Sequence, residues 1–342
     1  MKAVIMAGGR GTRLRAVTGE LPKPLVPLLG RPMIEHIIAL LKKHGFMDIC
    51  ISLGYRAEDM ARFVGDGSRF GVHICCRTER EALGTAGGVR NCADFLGEED
   101  FLVISGDAAC DLDLTALTEA HRASGAAVTA ALHRSSEPLS YGLAVTDADG
   151  FIRCFIEKPQ WKRVVTDLVN TGIYIVSPRA LAAIPVGKSF DFANDLFPLL
   201  LARGEKLRGI ALDGYWCDVG NPLSYYRCCI DALEGKLNIT PGAAFTRPAE
   251  EAAEDDEDTG AAERIDCRCQ SRAALMGALS EAMLDMGADY SDGIRLTGRG
   301  YTLHISPLSS RSAVRVAVSS PDSEFARSLA LSAKELIDVL AL

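Results

Sequence analysis

The chain of 342 residues carries 45 acidic and 37 basic side chains, a net charge of −8, which leaves no basic footprint for nucleic acid or an anionic membrane surface. No apolar run reaches the ~18 residues of a membrane span and no basic leader precedes the first strand-like run, so a soluble, cytoplasmic protein acting on small molecules is expected. The length suits one large domain plus a small one, and the 11 cysteines, an odd number set mostly in apolar runs, suit reduced thiols packed as small hydrophobes.

The first apolar run, Lys2 to Met6, has the character of a buried strand. It leads into Met6-Ala7-Gly8-Gly9-Arg10-Gly11-Thr12-Arg13-Leu14, where glycines let the backbone turn and approach a ligand. Free N–H groups in such a loop bind phosphate oxygens. Its spacing is neither that of the P-loop, which closes on Gly-Lys-Ser/Thr, nor that of the dinucleotide fingerprint, whose glycines open a helix directly. Pro22-Lys23-Pro24 follows, with prolines restricting the backbone on both sides of a cation. Pro32 is placed at a first helical position, and Met33, Ile34, Ile37, Ile38, Leu40 and Leu41 recur at helical spacing until Gly45.

Strand-like runs then alternate with helical patterns: Asp48 to Leu53, Val72 to Cys76, Phe101 to Ser105, Ala127 to His133, Gly172 to Val176 and Leu207 to Leu212. This is α/β order, and in open sheets of that kind ligands bind beyond the carboxyl ends of the strands, where the glycine loop falls. Asp107 stands at such an end in Ser105-Gly106-Asp107, while Asp111 and Asp113 read as caps of a helix starting around Leu114. Asp218 lies in Trp216-Cys217-Asp218-Val219-Gly220-Asn221-Pro222. Magnesium takes oxygen ligands and is commonly held by one or two carboxylates plus substrate phosphates.

Residues 236–264 change character, with Pro241, Gly242 and Pro248 followed by Glu250, Glu251, Glu254, Asp255, Asp256, Glu257 and Asp258. A like-charge run repels itself and buries nothing, so an acidic flexible linker is expected between a domain at 1–235 and one at 265–342. In the latter, Ala273 to Met286 and Ser323 to Leu342 read as helices and Ile294 to Leu296, Tyr301 to Ile305 and Ala313 to Val318 as strands, a small α+β module. Cys267-x-Cys269 is the one cysteine pair that suggests metal, with no second pair or histidine cluster nearby to complete a site.

Gly-Gly-x-Gly-Thr-Arg-Leu with a downstream Pro-Lys-Pro-Leu resembles the signature of the sugar-1-phosphate nucleotidylyltransferases. The likeness spans residues 1–235 and implies a Rossmann-like, three-layer α/β domain around a mixed sheet. It further implies that Ala7, Gly8, Gly9, Gly11 and Thr12 cradle a nucleoside triphosphate, that Arg13 contacts that triphosphate, and that Lys23 lies near the α-phosphate and the attacking phosphate. Asp107 and Asp218 match the family's Mg2+ carboxylates, Asp107 also counting among the catalytic residues. Glu81-Ala82-Leu83-Gly84-Thr85-Ala86-Gly87-Gly88 resembles the base-binding loop, with Glu81, Gly84 and Thr85 at the nucleotide. Tyr141-Gly142, Glu157-Lys158-Pro159 and Asn170-Thr171-Gly172-Ile173-Tyr174 resemble the sugar side, where Lys158 would bind the sugar phosphate and Glu157, Asn170 and the Gly142 backbone hydroxyls.

In that family a sugar-1-phosphate oxygen attacks the α-phosphorus of the triphosphate and expels pyrophosphate. The nucleophile is already an anion, so the demand is on positioning two polyanions and stabilising charge at phosphorus. The run Pro-Lys-Pro-Leu-Val-Pro-Leu-Leu-Gly-Arg-Pro-Met with Leu-Gly-Thr-Ala-Gly-Gly is most similar to the mannose-1-phosphate guanylyltransferases, with glucose-1-phosphate thymidylyl or uridylyl enzymes next and a non-catalytic sugar-nucleotide sensor as the alternative of another class. A homo-oligomer is compatible with all of these. The C-terminal module resembles the last domain of the phosphohexomutases, but Ser306-Pro307-Leu308-Ser309-Ser310-Arg311-Ser312 stands where that domain reads Arg-Pro-Ser-Gly-Thr-Glu-Pro, which implies a structural, dimerising or vestigial phosphate-sensing role.

Overall fold

The computed structural model describes residues 1–9, 11, 21–135, 137–157, 159–160, 164–240, 242, 261–268, 272–283, 286, 288–290, 293–308 and 313–340. They fall into two compact units, Met1–Arg10 with Ile34–Trp216, and Gly11–Met33 with Cys217–Leu342.

The first unit is built on strands β1 (Ala3–Ala7), β2 (Asp48–Leu53), β3 (His73–Thr78), β4 (Phe101–Ser105), β5 (Val128–Arg134), β6 (Leu143–Thr146), β7 (Ile152–Ile156), β8 (Leu168–Val176) and β9 (Leu207–Ala211). They form one sheet in the order β7-β6-β8-β4-β1-β2-β3, with β5 on β8 and β9 on β5. β1 is parallel to both neighbours, Ala3 standing opposite Ile49 on one side and Leu102 on the other. Flanked on both edges and covered on both faces, β1 is apolar throughout instead of alternating. β8 is antiparallel to β4, β5 and β6, so the sheet is mixed, as expected.

The helices that cover the sheet include α1 (Met33–Lys43), α2 (Ala57–Val64), α3 (Gly84–Arg90) and α4 (Leu114–Ser124). α1 buries Met33, Ile34, Ile37, Ile38 and Leu41, the stripe read from its spacing, and gives way at Gly45, which takes φ 81. Pro32 does not open this helix: it ends a two-residue strand, Arg31–Pro32, paired with Pro27–Leu28. β8 begins at Leu168, four residues before the expected Gly172, and its register shifts between Asn170 and Tyr174. That bulge interrupts the apolar pattern, which is why sequence periodicity finds only the strand's second half.

The second unit contains helix α5 (Pro222–Leu233), then β10 (Ala261–Arg268), α6 (Arg272–Met283), β11 (Ile294–Gly298), β12 (Tyr301–Pro307), β13 (Ala313–Ser320) and α7 (Ser323–Leu340). Its antiparallel sheet runs β10-β13-β12-β11. β13 and β12 alternate buried with part-buried residues, as a sheet with one covered face requires, and α6 and α7 supply Leu275, Leu279, Phe325, Leu329, Leu336 and Ile337 to the core. α6 is described as far as Met283, and residues 284 and 285, before the expected end at Met286, lie outside the described residues. Of the stretch 236–264, Leu237 is buried and Ala261 opens β10, while 243–260, with the acidic run, lies outside the described residues. Among the described residues no helix is long and apolar enough to cross a membrane.

Candidate active site

The carboxyl ends of β1, β2 and β4 meet around Gly8. The Gly106 amide donates to the Met6 carbonyl at 2.8 Å, and the Tyr55 amide to the Gly8 carbonyl at 3.3 Å. A Cβ on Gly54 would stand 2.5 Å from the Gly8 oxygen, so β2 can follow this path only with glycine there. Ala7 is buried, whereas Gly9 is exposed with nothing within 4 Å of an added Cβ. Arg10, Thr12 and Arg13 lie outside the described residues.

Glu79, which the motif reading passes over, ties this corner together. Its Oε1 accepts from the Ser52 hydroxyl at 3.0 Å and its Oε2 from the Leu83 amide at 3.0 Å. A Cβ would come within 2.8 Å of Oε1 if added to Gly8 and within 2.6 Å if added to Gly88. One carboxylate thus links the first glycine loop to the loop that resembles a base-binding element. The only local signal was a carboxylate one residue past a parallel strand.

Within that second loop, Glu81 is exposed, Gly84 takes φ 71, and its Cα lies against the Phe190 carbonyl, 2.7 Å from an added Cβ. The Thr85 hydroxyl donates to Asp191 at 2.6 Å and accepts from the Phe192 amide at 2.9 Å. Gly84 and Thr85 therefore seat the loop on residues 190–192 at the start of α3.

Asp107 follows β4 as expected, and its Oδ1 accepts from the Ser105 hydroxyl at 2.5 Å. Asp113 caps α4, accepting from Thr115 and Ala116 amides at 2.9 and 3.1 Å. Asp111 takes no part in that cap. It accepts from the Tyr215 amide at 2.7 Å while its own amide donates to the Tyr215 carbonyl at 3.2 Å. A capping role for Asp111 is corrected accordingly, because a tertiary partner 104 residues away outcompetes the local helix end.

On the sugar side, Gly142, Glu157 and Asn170 come together. The Asn170 amide donates to the Gly142 carbonyl at 2.8 Å, and an added Gly142 Cβ would stand 2.6 Å from Glu157 Oε2. The Asn170 side chain is oriented by the Tyr174 hydroxyl, which donates to its Oδ1 at 3.0 Å. Tyr141 meets Trp216 edge-on, ring centroids 5.1 Å apart, and the Trp216 indole donates to the Thr171 carbonyl at 3.2 Å. Lys158 lies outside the described residues.

In the second unit, Lys23 opens the 3-10 turn Lys23–Leu25 and is only 7% exposed. Gly11 packs on it at φ 56, an added Cβ meeting Lys23 Cβ at 3.1 Å. The Lys23 ammonium lies 3.3 Å from Asp218 Oδ1. Asp218 precedes the first turn of α5, where Asn221 and Ser224 form a reciprocal capping box and Pro222 takes the first turn. Asp218 thus stands between the end of a short strand, Trp216–Asp218, and the capped start of α5. Among the described residues no three His, Cys, Asp or Glu side chains form a ready-made metal cluster, and Cys269 lies outside them. Asp107 in the first unit and Asp218 in the second each offer hard oxygen donors, a donor type that fits magnesium and does not fit a thiolate metal.

The chain is similar to several known proteins and solved structures. It is 38% identical over 262 residues to a UTP–glucose-1-phosphate uridylyltransferase of Synechocystis, covering 72% of this chain and 68% of that one. To a mannose-1-phosphate guanylyltransferase of Mycobacterium tuberculosis it is 34% identical over 244 residues, covering 71% and 67%. A crystal structure of a putative glucose-1-phosphate thymidylyltransferase from Bacillus anthracis superposes with a TM-score of 0.62 at 28% identity, over 71% of this chain and 97% of that one. HddC from Yersinia pseudotuberculosis in complex with GMP-PN superposes with a TM-score of 0.59 at 28% identity, over 68% and 99%. With the nucleotidyl transferase family profile matching residues 2–234, across the glycine loop, Lys23, Asp107 and Asp218, the chain belongs to the nucleotidyl transferase family.

Proposed function

We propose that the protein is a sugar-1-phosphate nucleotidylyltransferase that uses magnesium and joins GTP to mannose 1-phosphate, giving GDP-mannose and pyrophosphate. The observation that carries this reading is the buried Lys23 ammonium set 3.3 Å from Asp218 and packed by Gly11 of the glycine loop. A cation so held loses little entropy when it meets phosphate and is available where charge grows on phosphorus. In the proposed reaction a phosphate oxygen of the sugar 1-phosphate bonds to the α-phosphorus as the bond to the bridging oxygen of pyrophosphate breaks, and no proton need move.

Roles follow for this chain's residues. Ala7, Gly8, Gly9, Gly11 and Thr12 receive the triphosphate with Arg13, and Lys23 steadies the α-phosphate. Glu81, Gly84 and Thr85 belong to the loop that faces the base. Tyr141, Gly142, Glu157 and Asn170 take the sugar, with Lys158 on its phosphate. Asp107 and Asp218 are the carboxylates assigned to magnesium, which when bound offsets the charge of the phosphates. Residues 1–235 form the catalytic part, 236–264 a linker, and 265–342 a module similar to the last domain of phosphohexomutases; a cytoplasmic homo-oligomer suits such an enzyme.

The relative named as a uridylyltransferase, 38% identical, supports a second reading with UTP and glucose 1-phosphate. Pyrophosphate release, measured over GTP, UTP and dTTP against mannose and glucose 1-phosphates with and without magnesium, separates the two. Preferred turnover of GTP with mannose 1-phosphate supports the first reading, preference for another pair moves the assignment to it, and release from none defeats the enzyme reading.

A further inference from the structure

Two adjacent tyrosines in α5, Tyr225 and Tyr226, are 2% and 0% exposed. Their hydroxyls differ in what they meet. The Tyr226 hydroxyl is buried with no hydrogen-bond partner among the described residues, whereas the Tyr225 hydroxyl donates to the Pro27 carbonyl at 2.6 Å. Pro27 stands opposite Pro32 in its short hairpin, and neither proline has an N–H to offer. That rung supplies no donor to the Pro27 carbonyl, and Tyr225 supplies it from 198 residues away.

Pro27 belongs to the same hydrogen-bonded stretch as Lys23. The Val26 amide donates to the Lys23 carbonyl at 3.1 Å, the Leu25 amide to the Pro22 carbonyl at 2.8 Å and the Met33 amide to the Val26 carbonyl at 2.9 Å. The hairpin turns through Leu29 at φ 49, a left-handed conformation that costs a branched side chain and persists only where neighbours enforce it. They do so here: the Leu29 carbonyl accepts from the Gly242 amide at 2.7 Å, and the Leu29 side chain is fully buried. α5 is backed in turn by α7, and burial, with the Glu335 charge of α7 adding to it, pushes the Tyr225 hydroxyl and the Cys229 thiol up.

We propose that Tyr225 is a positioning residue for the reaction: its hydroxyl pins the hairpin that follows Lys23 and so sets the Lys23 ammonium, with the C-terminal helix α7 bracing it from behind. This rests on the reading of Lys23 as the cation at the α-phosphate. It gives the C-terminal module a role in the same unit as that lysine, independent of its altered phosphate loop. A hydroxyl that holds a catalytic group at the right distance affects turnover more than binding, since small displacements weaken transition-state contacts.

The test compares Tyr225→Phe with Tyr226→Phe in the full chain. Each keeps its ring and volume, and Tyr226→Phe removes a hydroxyl that bonds nothing described. Steady-state turnover is read on the best substrate pair, hydrogen exchange on the amides of residues 21–33, and thermal unfolding on both variants. Tyr225→Phe is expected to lower kcat about tenfold with KM for the triphosphate within about twofold, and to speed exchange in 21–33, while Tyr226→Phe leaves turnover and exchange as in the parent and, by removing an unsatisfied buried hydroxyl, does not lower the unfolding temperature. Unchanged kcat in Tyr225→Phe overturns the proposal, as does a loss carried by KM, or a loss of kcat with unaltered exchange. If the parent chain releases no pyrophosphate with any pair, the functional reading fails on its own, and equal exchange in the two variants then overturns the bracing as well.

Discussion

Lys23 and Asp218, 195 residues apart in sequence, form an ion pair of 3.3 Å whose side chains are 8% and 33% exposed. Lys23 of the Pro-Lys-Pro segment and Asp218 of the Trp-x-Asp-x-Gly-x-Pro element are thereby joined within the second unit. Removing the lysine takes away a contact expected to strengthen as charge develops on phosphorus. Lys23→Ala is expected to lose at least about a hundredfold in kcat for pyrophosphate release. Lys23→Arg should not restore it, because a planar guanidinium does not fit a nearly buried point-charge site packed by Gly11. Near-parental rates in either variant contradict the role given to Lys23.

Glu79 makes a different kind of prediction, since it holds loops instead of meeting phosphate. Its bonds to Ser52 and to the Leu83 amide are made by a half-buried carboxylate and are worth about 1 kcal/mol each. Glu79→Ala should therefore lower stability by about 2 kcal/mol in denaturant titration and raise KM for the triphosphate several-fold as the second loop loosens. Glu79→Gln, which keeps an acceptor for the Leu83 amide, should recover part of both. A variant with parental KM and midpoint removes Glu79 from the site.

At Gly54 the collision is with backbone, not with a flexible side-chain end. An added methyl would sit 2.5 Å from the Gly8 oxygen and 3.1 Å from the Gly8 carbon. Gly54→Ala is expected to cost about 1 to 3 kcal/mol and to displace the first glycine loop, reducing kcat and triphosphate affinity together. Gly65→Ala serves as control: its φ of 58 strains an alanine, but nothing lies within 4 Å of the added Cβ, so stability alone should fall. Equal activity in the two variants contradicts the close-approach role of Gly54.

Glu335 gives the second unit a pH dependence. Burial raises its carboxyl from the ordinary 4.5 to about 7, against the pull of Lys334 and with Asp338 adding to the rise. With the folded value above the unfolded one, the folded state holds the proton more tightly. Its contribution is full below about pH 4.5 and is lost as pH climbs through 7. Glu335→Gln should therefore raise stability by about 1 to 2 kcal/mol at pH 8 and by little at pH 5, after discounting for partial exposure. Denaturant midpoints at the two pH values check this, and an equal shift at both removes Glu335 as the cause.

Much of this molecule is legible along the chain because the relevant physics is local. The buried stripe of α1, the apolar run of β1, the Asp113 cap and the glycines after β1 each express a period or a backbone need within a few residues. Asp107 is found the same way, as a carboxylate at a strand's end. Family membership follows from such short motifs, which carry their order along the sequence with them.

Tertiary structure alone decides which distant groups meet. Glu79 on Gly8, Asp111 on Tyr215 and Tyr225 on Pro27 are contacts between segments 71, 104 and 198 residues apart, and no periodicity encodes them. The bulge that draws Asn170 to Gly142 likewise breaks the very alternation by which a strand is read. Local sequence sets what each segment can be, because backbone and side-chain preferences act within a turn or two. Which carboxylate holds which loop is settled only when the folded chain excludes water between them and each buried polar group must find a partner.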